Sequence, residues 1–279
     1  EVIIPISNRK IKIITDDYAD PDQGSGAVKI TPAHDFNDYL VGKRNKLELI
    51  NILNKDGTLN ENVPSDYLNI DRLDARKKLI SELDQKGYLD KIEDINHTVP
   101  YGDRSNSVIE PLLTEQWFVD AKKLSKEAIK QVKKKKTNFF PNNWKKTYFQ
   151  WMENIEPWCI SRQLWWGHQI PAWYTEGGEI IVAENMKEAK NIAKKKFKKE
   201  VFLKQDPDVL DTWFSSALWP FATFDWPNNK SYELKRFYKT SVLVTGFDII
   251  FFWVARMMMM GLYFMKEVPF ENVYVHALV

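Results

Sequence analysis

The chain has 279 residues, 44% hydrophobic and 14% aromatic, a composition that excludes a disordered polypeptide and leaves room for two domains with real cores. Forty basic against thirty-eight acidic residues leave a net charge of +2, so no global field demands a nucleic acid; the lysines at 133–136, 194–196, 198 and 199 read as solvated helix faces. Cys159 is the sole cysteine, which excludes an intrachain disulfide and a cysteine-rich zinc site and makes a reducing, cytoplasmic compartment the expectation.

Residues 1–97 read as short strands at 2–6, 10–14, 27–30 and 49–53, punctuated by Gly24-Ser25-Gly26 and Asn54-Lys55-Asp56-Gly57. A helix follows over 71–86, closed by Gly87. Within this α+β stretch, Lys29 on a strand, His34, and Asp35 and Asp38 on one face of an opening helical turn cluster around one loop. Such a cluster suits an ammonium group, a positioned water or a divalent metal; carboxylates at a helix start are equally an ordinary stabilising feature.

From 97 to 119 Pro100, Gly102 and Pro111 discourage helix, and a β-ribbon is expected before a lysine-rich helix over 121–135. Residues 156–167 (EPWCISRQLWWG) read as a short helix with Pro157 in its first turn and Gly167 as its cap. On that helix Trp158, Arg162 and Trp165 or Trp166 share a face. Arginine among tryptophans either stacks an unpaired nucleotide or forms an internal ion pair in an aromatic core. Residues 206–220 form a second helix, capped by Asp211 or Thr212 and ended by Pro220, with Trp213 in its first turn.

The last segment carries the sharpest signal. A β-branched strand (242–245) meets Gly246, then Asp248, then an apolar helix, and a second strand over 273–279 carries His276. This is a βαβ unit, and ligands of such sheets collect beyond the carboxyl ends of the strands. Gly246 removes a Cβ that would hold a ligand off, Asp248 caps the helix or offers a carboxylate, and His276 either converges with them on one bound group or is a hydrogen-bonded core histidine. Residues 242–265 are nearly continuously apolar, but Asp248 and Arg256 would each cost about 2.5–3.5 kcal/mol at a bilayer centre, so a buried core helix and no membrane are expected.

In the runs 24–38, 99–119, 158–174, 206–220 and 242–279 the chain resembles the valyl-tRNA synthetases, a branch of the class I aminoacyl-tRNA synthetases. The resemblance implies an α/β fold: part of a Rossmann-type class I synthetase catalytic domain plus the latter part of an α+β editing domain. Residues 1–97 would be the carboxyl-terminal part of the editing insert, 98–137 a β-ribbon and helical connection, and 138–279 part of the catalytic domain. Gly246, Asp248 and His276 would bind ATP or the adenylate; Trp213, Ile249 and Trp253 would line the valine pocket, with Ile249 and Trp253 on one helix face. Arg162, Trp165 and Trp166 would meet the tRNA acceptor end, and Lys29, Asp35 and Asp38 would form the editing pocket. Threonine is nearly isosteric with valine, and an apolar pocket of this enzyme type is known to reject the added hydroxyl by only ~10²-fold.

ATP with Mg²⁺, valine and tRNA(Val) are the implied substrates; no protein-bound metal is expected, and the full-length enzyme would be a monomer. The family's two nucleotide signatures, His-Ile-Gly-His and Lys-Met-Ser-Lys-Ser, are missing, and Ser25 stands where threonine is usual. With no initial methionine and an end inside a strand, the expectation is a segment of a longer protein, inactive alone in ATP–pyrophosphate exchange. Rival readings are a non-catalytic tRNA-binding fragment, an isoleucyl-type sibling, and a metal-dependent hydrolase built on His34, Asp35 and Asp38.

Overall fold

The computed structural model describes residues 1–228 and 230–277, which divide into two compact units, Glu1–Glu115 and Gln116–Val279. In the first, β1 (Val2–Ile3) and β2 (Lys10–Ile11) pair antiparallel, and two helices follow, α1 (Phe36–Asn45) and α2 (Arg72–Gln85). Asp71 starts α2 by accepting the Leu73 N–H at 2.8 Å, as its side chain predicts for a cap. The buried apolar cluster is small: Leu59, Tyr67 and Ala75. Asp16 takes the guanidinium of Arg44 and the amide of Asn45 at the end of α1, and Arg44 holds its carboxyl well below the usual range.

Two of the expected strands do not form. Residues 27–30 are unpaired, and 49–53 contribute only a bridge between Leu53 and Leu59. β-Propensity is realised only against a partner, and no partner strand lies beside them among the described residues. Of the ribbon expected over 97–119, a bridge between Tyr101 and Val108 and the two-residue strand Phe118–Val119 form.

The second unit opens with β3 (Phe118–Val119), α3 (Ala121–Lys133), β4 (Asn138–Phe140) and α4 (Trp144–Glu153). Then come β5 (Trp158–Cys159), β6 (Ser161–Arg162), β7 (Ala172–Thr175), β8 (Ile180–Val182), α5 (Met186–Phe197), β9 (Leu203–Gln205) and β10 (Val209–Leu210). The short helices α6 (Thr212–Ser216), α7 (Trp219–Ala222) and α8 (Tyr232–Phe237) lead to β11 (Thr240–Gly246), α9 (Arg256–Phe264) and β12 (Phe270–His276). The helix expected over 206–220 is therefore shorter: its first third is strand β10, and Pro220 sits in the first turn of α7 rather than ending α6.

The βαβ unit is present. β11 and β12 are adjacent and parallel, β4 extends the sheet in the order β11-β12-β4, and Gly246 stands opposite His276. Residues 278 and 279 of the expected second strand lie outside the described residues. Between the strands the chain does not enter a regular helix at once. A tight 3₁₀ turn (Phe247–Ile249) is followed by a wide π turn (Ile250–Ala255) before α9. Residues 247–264 have the length and composition of a membrane span, yet Ile250, Val254 and Met257–Met260 are buried in the core of this unit against Phe139, Tyr148, Phe221 and Val273. Methionine's unbranched, polarisable chain fills such irregular contacts. A separate small layer, β8-β7-β9 with α5 laid on it through Ala189 and Ala193, interrupts the main sheet.

What locks these elements together is Asp211, only 5% exposed. Its Oδ1 accepts the Trp213 N–H at 3.1 Å and starts α6. Its Oδ2 accepts from Trp158 Nε1 at 2.9 Å, Arg162 Nη2 at 3.1 Å and Arg256 Nη1 at 3.4 Å. Deleting one member of a buried charge cluster strands the others. Asp211→Ala is therefore expected to lower the unfolding free energy by about 3–5 kcal/mol, read as a shift of the urea midpoint against the parent chain.

Candidate functional site

At the carboxyl end of β11 Gly246 is buried, with the Asp248 carboxylate lying over it. A Cβ built on Gly246 would lie 2.5 Å from Asp248 Oδ1 and 3.9 Å from His276 Cε1. The three residues thus share one crevice because Gly246 and His276 are register partners on neighbouring parallel strands, and the 3₁₀ turn folds Asp248 back over the glycine. Asp248 does not cap the helix as one sequence reading had it: no side chain caps this turn. The turn starts uncapped directly from a strand, so the carboxylate stays exposed, and among the described residues it has no hydrogen-bond partner. His276 is exposed as well; its Nδ1 lies 2.5 Å from the Ala277 carbonyl oxygen. An exposed acid and an exposed imidazole at the end of a parallel sheet can together hold a polyhydroxylated, planar ligand.

Beyond that crevice three consecutive aromatic residues of the π turn meet three different walls. Phe251 stacks on Trp151 at 4.8 Å, Phe252 on Trp213 at 5.8 Å, and Trp253 lies edge-on to Trp219 at 6.5 Å. Trp253 Nε1 also donates to the Ser216 carbonyl at 3.2 Å, which fixes it against α6, the helix whose first turn carries Trp213. Ile249, half-buried, ends the 3₁₀ turn. The regular helix face expected for Ile249 and Trp253 is replaced by a 3₁₀-to-π junction. Such irregular turns recur at functional sites and are invisible to a 3.6-residue pattern.

The segment 156–167 is not a helix. Its backbone is committed to cross-strand bonds: β5 pairs with β3, β6 pairs with β10, and the Ile160 N–H reaches the Trp117 carbonyl at 2.8 Å. Gly167 is no helix cap; at φ +147°, a Cβ there would come within 3.0 Å of Val209. Trp158 and Arg162, an even number of residues apart on extended backbone, still turn to one side and meet at Asp211, but the face they were expected to share with Trp165 or Trp166 is lost. Trp158 is buried on Asp211, Arg162 is half-buried in the ion pair with Asp211, and Trp165 and Trp166 stand out at 105% and 91% exposure. Two adjacent indoles left fully in water offer the kind of flat apolar surface on which an unpaired base can stack.

In the first unit Asp38 is buried, and its Oδ2 accepts from the Thr31 N–H at 2.7 Å and the Thr31 hydroxyl at 3.1 Å. Asp35 is the exposed cap of α1; its Oδ1 accepts the Asn37 and Asp38 N–H groups at 2.8 and 2.9 Å. The two carboxylates therefore do not share a helix face as the three-residue spacing suggested: Asp35 lies outside the helix, Asp38 inside it. Lys29 is exposed on irregular chain rather than on a strand. His34 sets Nδ1 3.0 Å from the Pro111 carbonyl, while Nε2 accepts the Ile52 N–H at 3.0 Å. Both ring nitrogens are thus engaged by backbone, which removes the imidazole that the metal-hydrolase reading requires.

Sequence reasoning missed Asp211 and Arg256 as partners. Arg256 is 7% exposed, and its guanidinium lies 4.0 Å from the Trp158 ring centroid. A lone arginine inside an apolar run was the available signal; it was used only against a membrane span.

The profile of the class I tRNA synthetases (I, L, M and V) matches residues 12–279. A valine–tRNA ligase of Pelagibacter ubique is 66% identical over 278 residues, covering 100% of this chain and 32% of the relative. One from Caulobacter vibrioides is 59% identical over 278 residues, covering 100% and 31%. The chain thus spans about a third of the length of the curated relatives it matches. Methionyl-tRNA synthetase of Mycobacterium tuberculosis in complex with methionyl-adenylate superposes at a TM-score of 0.43 and 14% identity, over 64% of this chain and 29% of that one, a likeness too partial to bear on the site.

His34 predicts its own test. His34→Ala frees the Ile52 amide and should raise its hydrogen-exchange rate at least ~tenfold through local opening, as followed by NMR; an unchanged rate would contradict the structural role.

Proposed function

The chain belongs to the class I tRNA synthetases of the isoleucine, leucine, methionine and valine group, and from that premise we propose that it is the central part of a cytoplasmic valine–tRNA ligase. The observation that carries the reading is the convergence of Gly246, Asp248 and His276 at the ends of two adjacent parallel strands. In the whole enzyme the carboxylate of valine attacks the α-phosphorus of ATP, the bond to the bridging oxygen breaks, and pyrophosphate departs. A ribose hydroxyl at the tRNA 3′ end then attacks the valyl carbonyl and AMP leaves. Mg²⁺ enters with ATP as part of the substrate.

The role of this chain in that sequence is positioning. Gly246 lets the nucleoside approach the backbone, the Asp248 carboxylate accepts a ribose hydroxyl, and the His276 ring lies against the adenosine. Trp213, Ile249 and Trp253 wall the valine side chain, and the apolar Ile249, directly after the acid, favours valine over a substrate needing a polar partner. Trp165 and Trp166 stack the unpaired acceptor end of the tRNA, and Arg162, tied to the scaffold by Asp211, adds positive charge to the same segment.

The first unit is read as the later part of a hydrolytic editing domain. Asp38, held by Thr31, binds the ammonium of a misacylated threonyl group, with Asp35 and Lys29 nearby. A polar second site is what an apolar first site requires, since a hydroxyl cannot be excluded by shape alone.

In the full-length enzyme Gly246→Ala should change the unfolding free energy by less than about 1 kcal/mol, because the clash is with a short, exposed side chain. The same substitution and Asp248→Asn should each raise KM for ATP in valine-dependent ATP–pyrophosphate exchange at least ~tenfold, the worth of one charge-assisted hydrogen bond. Wild-type exchange in both variants would remove the nucleotide assignment. Asp38→Ala separates the second half of the proposal: exchange should persist while threonyl-tRNA accumulates. A variant that still clears threonyl-tRNA would refute the editing role.

A further inference from the structure

A second cleft lies away from the sheet ends. It encloses about 320 Å³ between the end of α4, strands β5 and β6, and the start of α9, and its walls include Trp151, Trp158, Phe251, Met259, Arg162 and Arg256. None of the residues assigned to nucleotide or valine lines it. Its unusual member is Arg256. A guanidinium only 7% exposed ordinarily spends most of its five donors on acceptors. Here one face is covered by Trp158, Nη1 makes a long 3.4 Å bond to Asp211, and among the described residues Nε and Nη2 have no acceptor. Those two nitrogens form one edge of the planar group, and that edge is what Arg256 has left to present to the cleft.

Charge points the same way. Arg162 and Arg256 both lean on the single carboxylate of Asp211, so one positive charge is left over. The other acid at the rim, Glu156, is exposed and paired with Lys122 at 3.3 Å. Burial draws the Arg256 pKa down to about 10 against the pull of Asp211, which is the signature of a cation whose lost hydration has been incompletely replaced.

We propose that this cleft is a binding site for a small free monocarboxylate with an apolar or aromatic body, its two oxygens taken by the Nε–Nη2 edge of Arg256 and its body lying along the apolar wall whose exposed rim is the Trp151 ring stacked on Phe251. Two parallel N–H···O bonds from one guanidinium edge fit a carboxylate's spacing and plane. A phosphodiester has the same charge but is flanked by two bulky groups; an arginine nine-tenths buried is reached only by an anion at the tip of a slim molecule. The leftover charge of one also matches a carboxylate better than a dianion, which Asp211 would repel.

The test uses the full-length enzyme and saturation-transfer NMR with phenylacetate, its neutral amide, and dimethyl phosphate. Phenylacetate should bind saturably and at least ~tenfold more tightly than the amide, since the bidentate charged contact is lost in the latter. Saturating valine should leave the phenylacetate signal unchanged. Arg256→Lys, which keeps the charge but loses the edge, should weaken binding at least ~tenfold. Because Arg256 also belongs to the core, Trp151→Ala at the exposed rim is the second variant, expected to weaken phenylacetate with an unaltered thermal melt. No saturable binding, equal affinity for the amide, tighter binding of dimethyl phosphate, competition by valine, or indifference to Trp151→Ala would each overturn the proposal.

Discussion

The Asp211 carboxylate is the constraint on which the second unit is arranged. It ties residues 158, 162, 213 and 256 to one pair of oxygens, joining two short strands, the first turn of α6 and the start of α9. None of these strands exceeds two residues, far short of what makes a strand pair stable alone. Their placement is therefore inherited from the hub. Desolvating a carboxylate and two guanidinium groups costs several kcal/mol per ion. The geometry offsets this with an indole N–H, a backbone N–H and the Trp158 ring face laid under Arg256.

The hub reaches the candidate site at Gly246 and Asp248 through covalent and hydrogen-bonded steps. Asp211 starts α6, the Ser216 carbonyl in α6 receives the Trp253 indole, and Trp253 lies in the π turn that continues the 3₁₀ turn carrying Asp248. The tight turn brings Asp248 back over Gly246, and the wide turn that follows lets Phe251, Phe252 and Trp253 reach separate walls. An ideal α-helix starting at Gly246 would place its first carboxylate pointing along the helix face instead of over the strand end. Local irregularity is thus what makes the acid available while the apolar remainder stays packed.

Much of this was legible from residue types and spacing. The βαβ unit was, because alternation, a glycine and an apolar run carry their geometry with them; helix α2 was, because Asp71 starts it and Gly87 follows its end, and α3 fell where the lysine-rich stretch was expected. The failures share one cause. Residues 156–167 look helical from Pro157 and Gly167, but their backbone partners, Trp117 and Val209, lie tens of positions away. Residues 27–30 and 49–53 look like strands and find no partner. In the site, the adjacency of Gly246, Asp248 and His276 was readable, whereas the hub was not: nothing in the local sequence says that an acid at 211 will meet arginines at 162 and 256. Tertiary pairing overrides propensity wherever the element is short.

The two buried carboxylates of this unit show how partner choice sets what is left for ligands. Asp206, 5% exposed like Asp211, is satisfied by neutral donors: Trp117 Nε1 at 2.8 Å, the Tyr174 hydroxyl at 2.7 Å and the Asp208 N–H at 2.9 Å. Its charge is stabilised without bringing a counter-charge into the core, and the adjoining layer of β7 and β9 closes over it. Asp211 instead gathers two cations; Arg162 finds two further acceptors in the Cys159 and Ser161 carbonyls, whereas Arg256 is left with the single long bond to Asp211. An acid satisfied by neutral donors is self-contained, whereas one shared between two arginines exports an unmet hydrogen-bonding edge to its surroundings. That asymmetry separates a purely structural buried acid from one whose neighbourhood is built to receive a further anion.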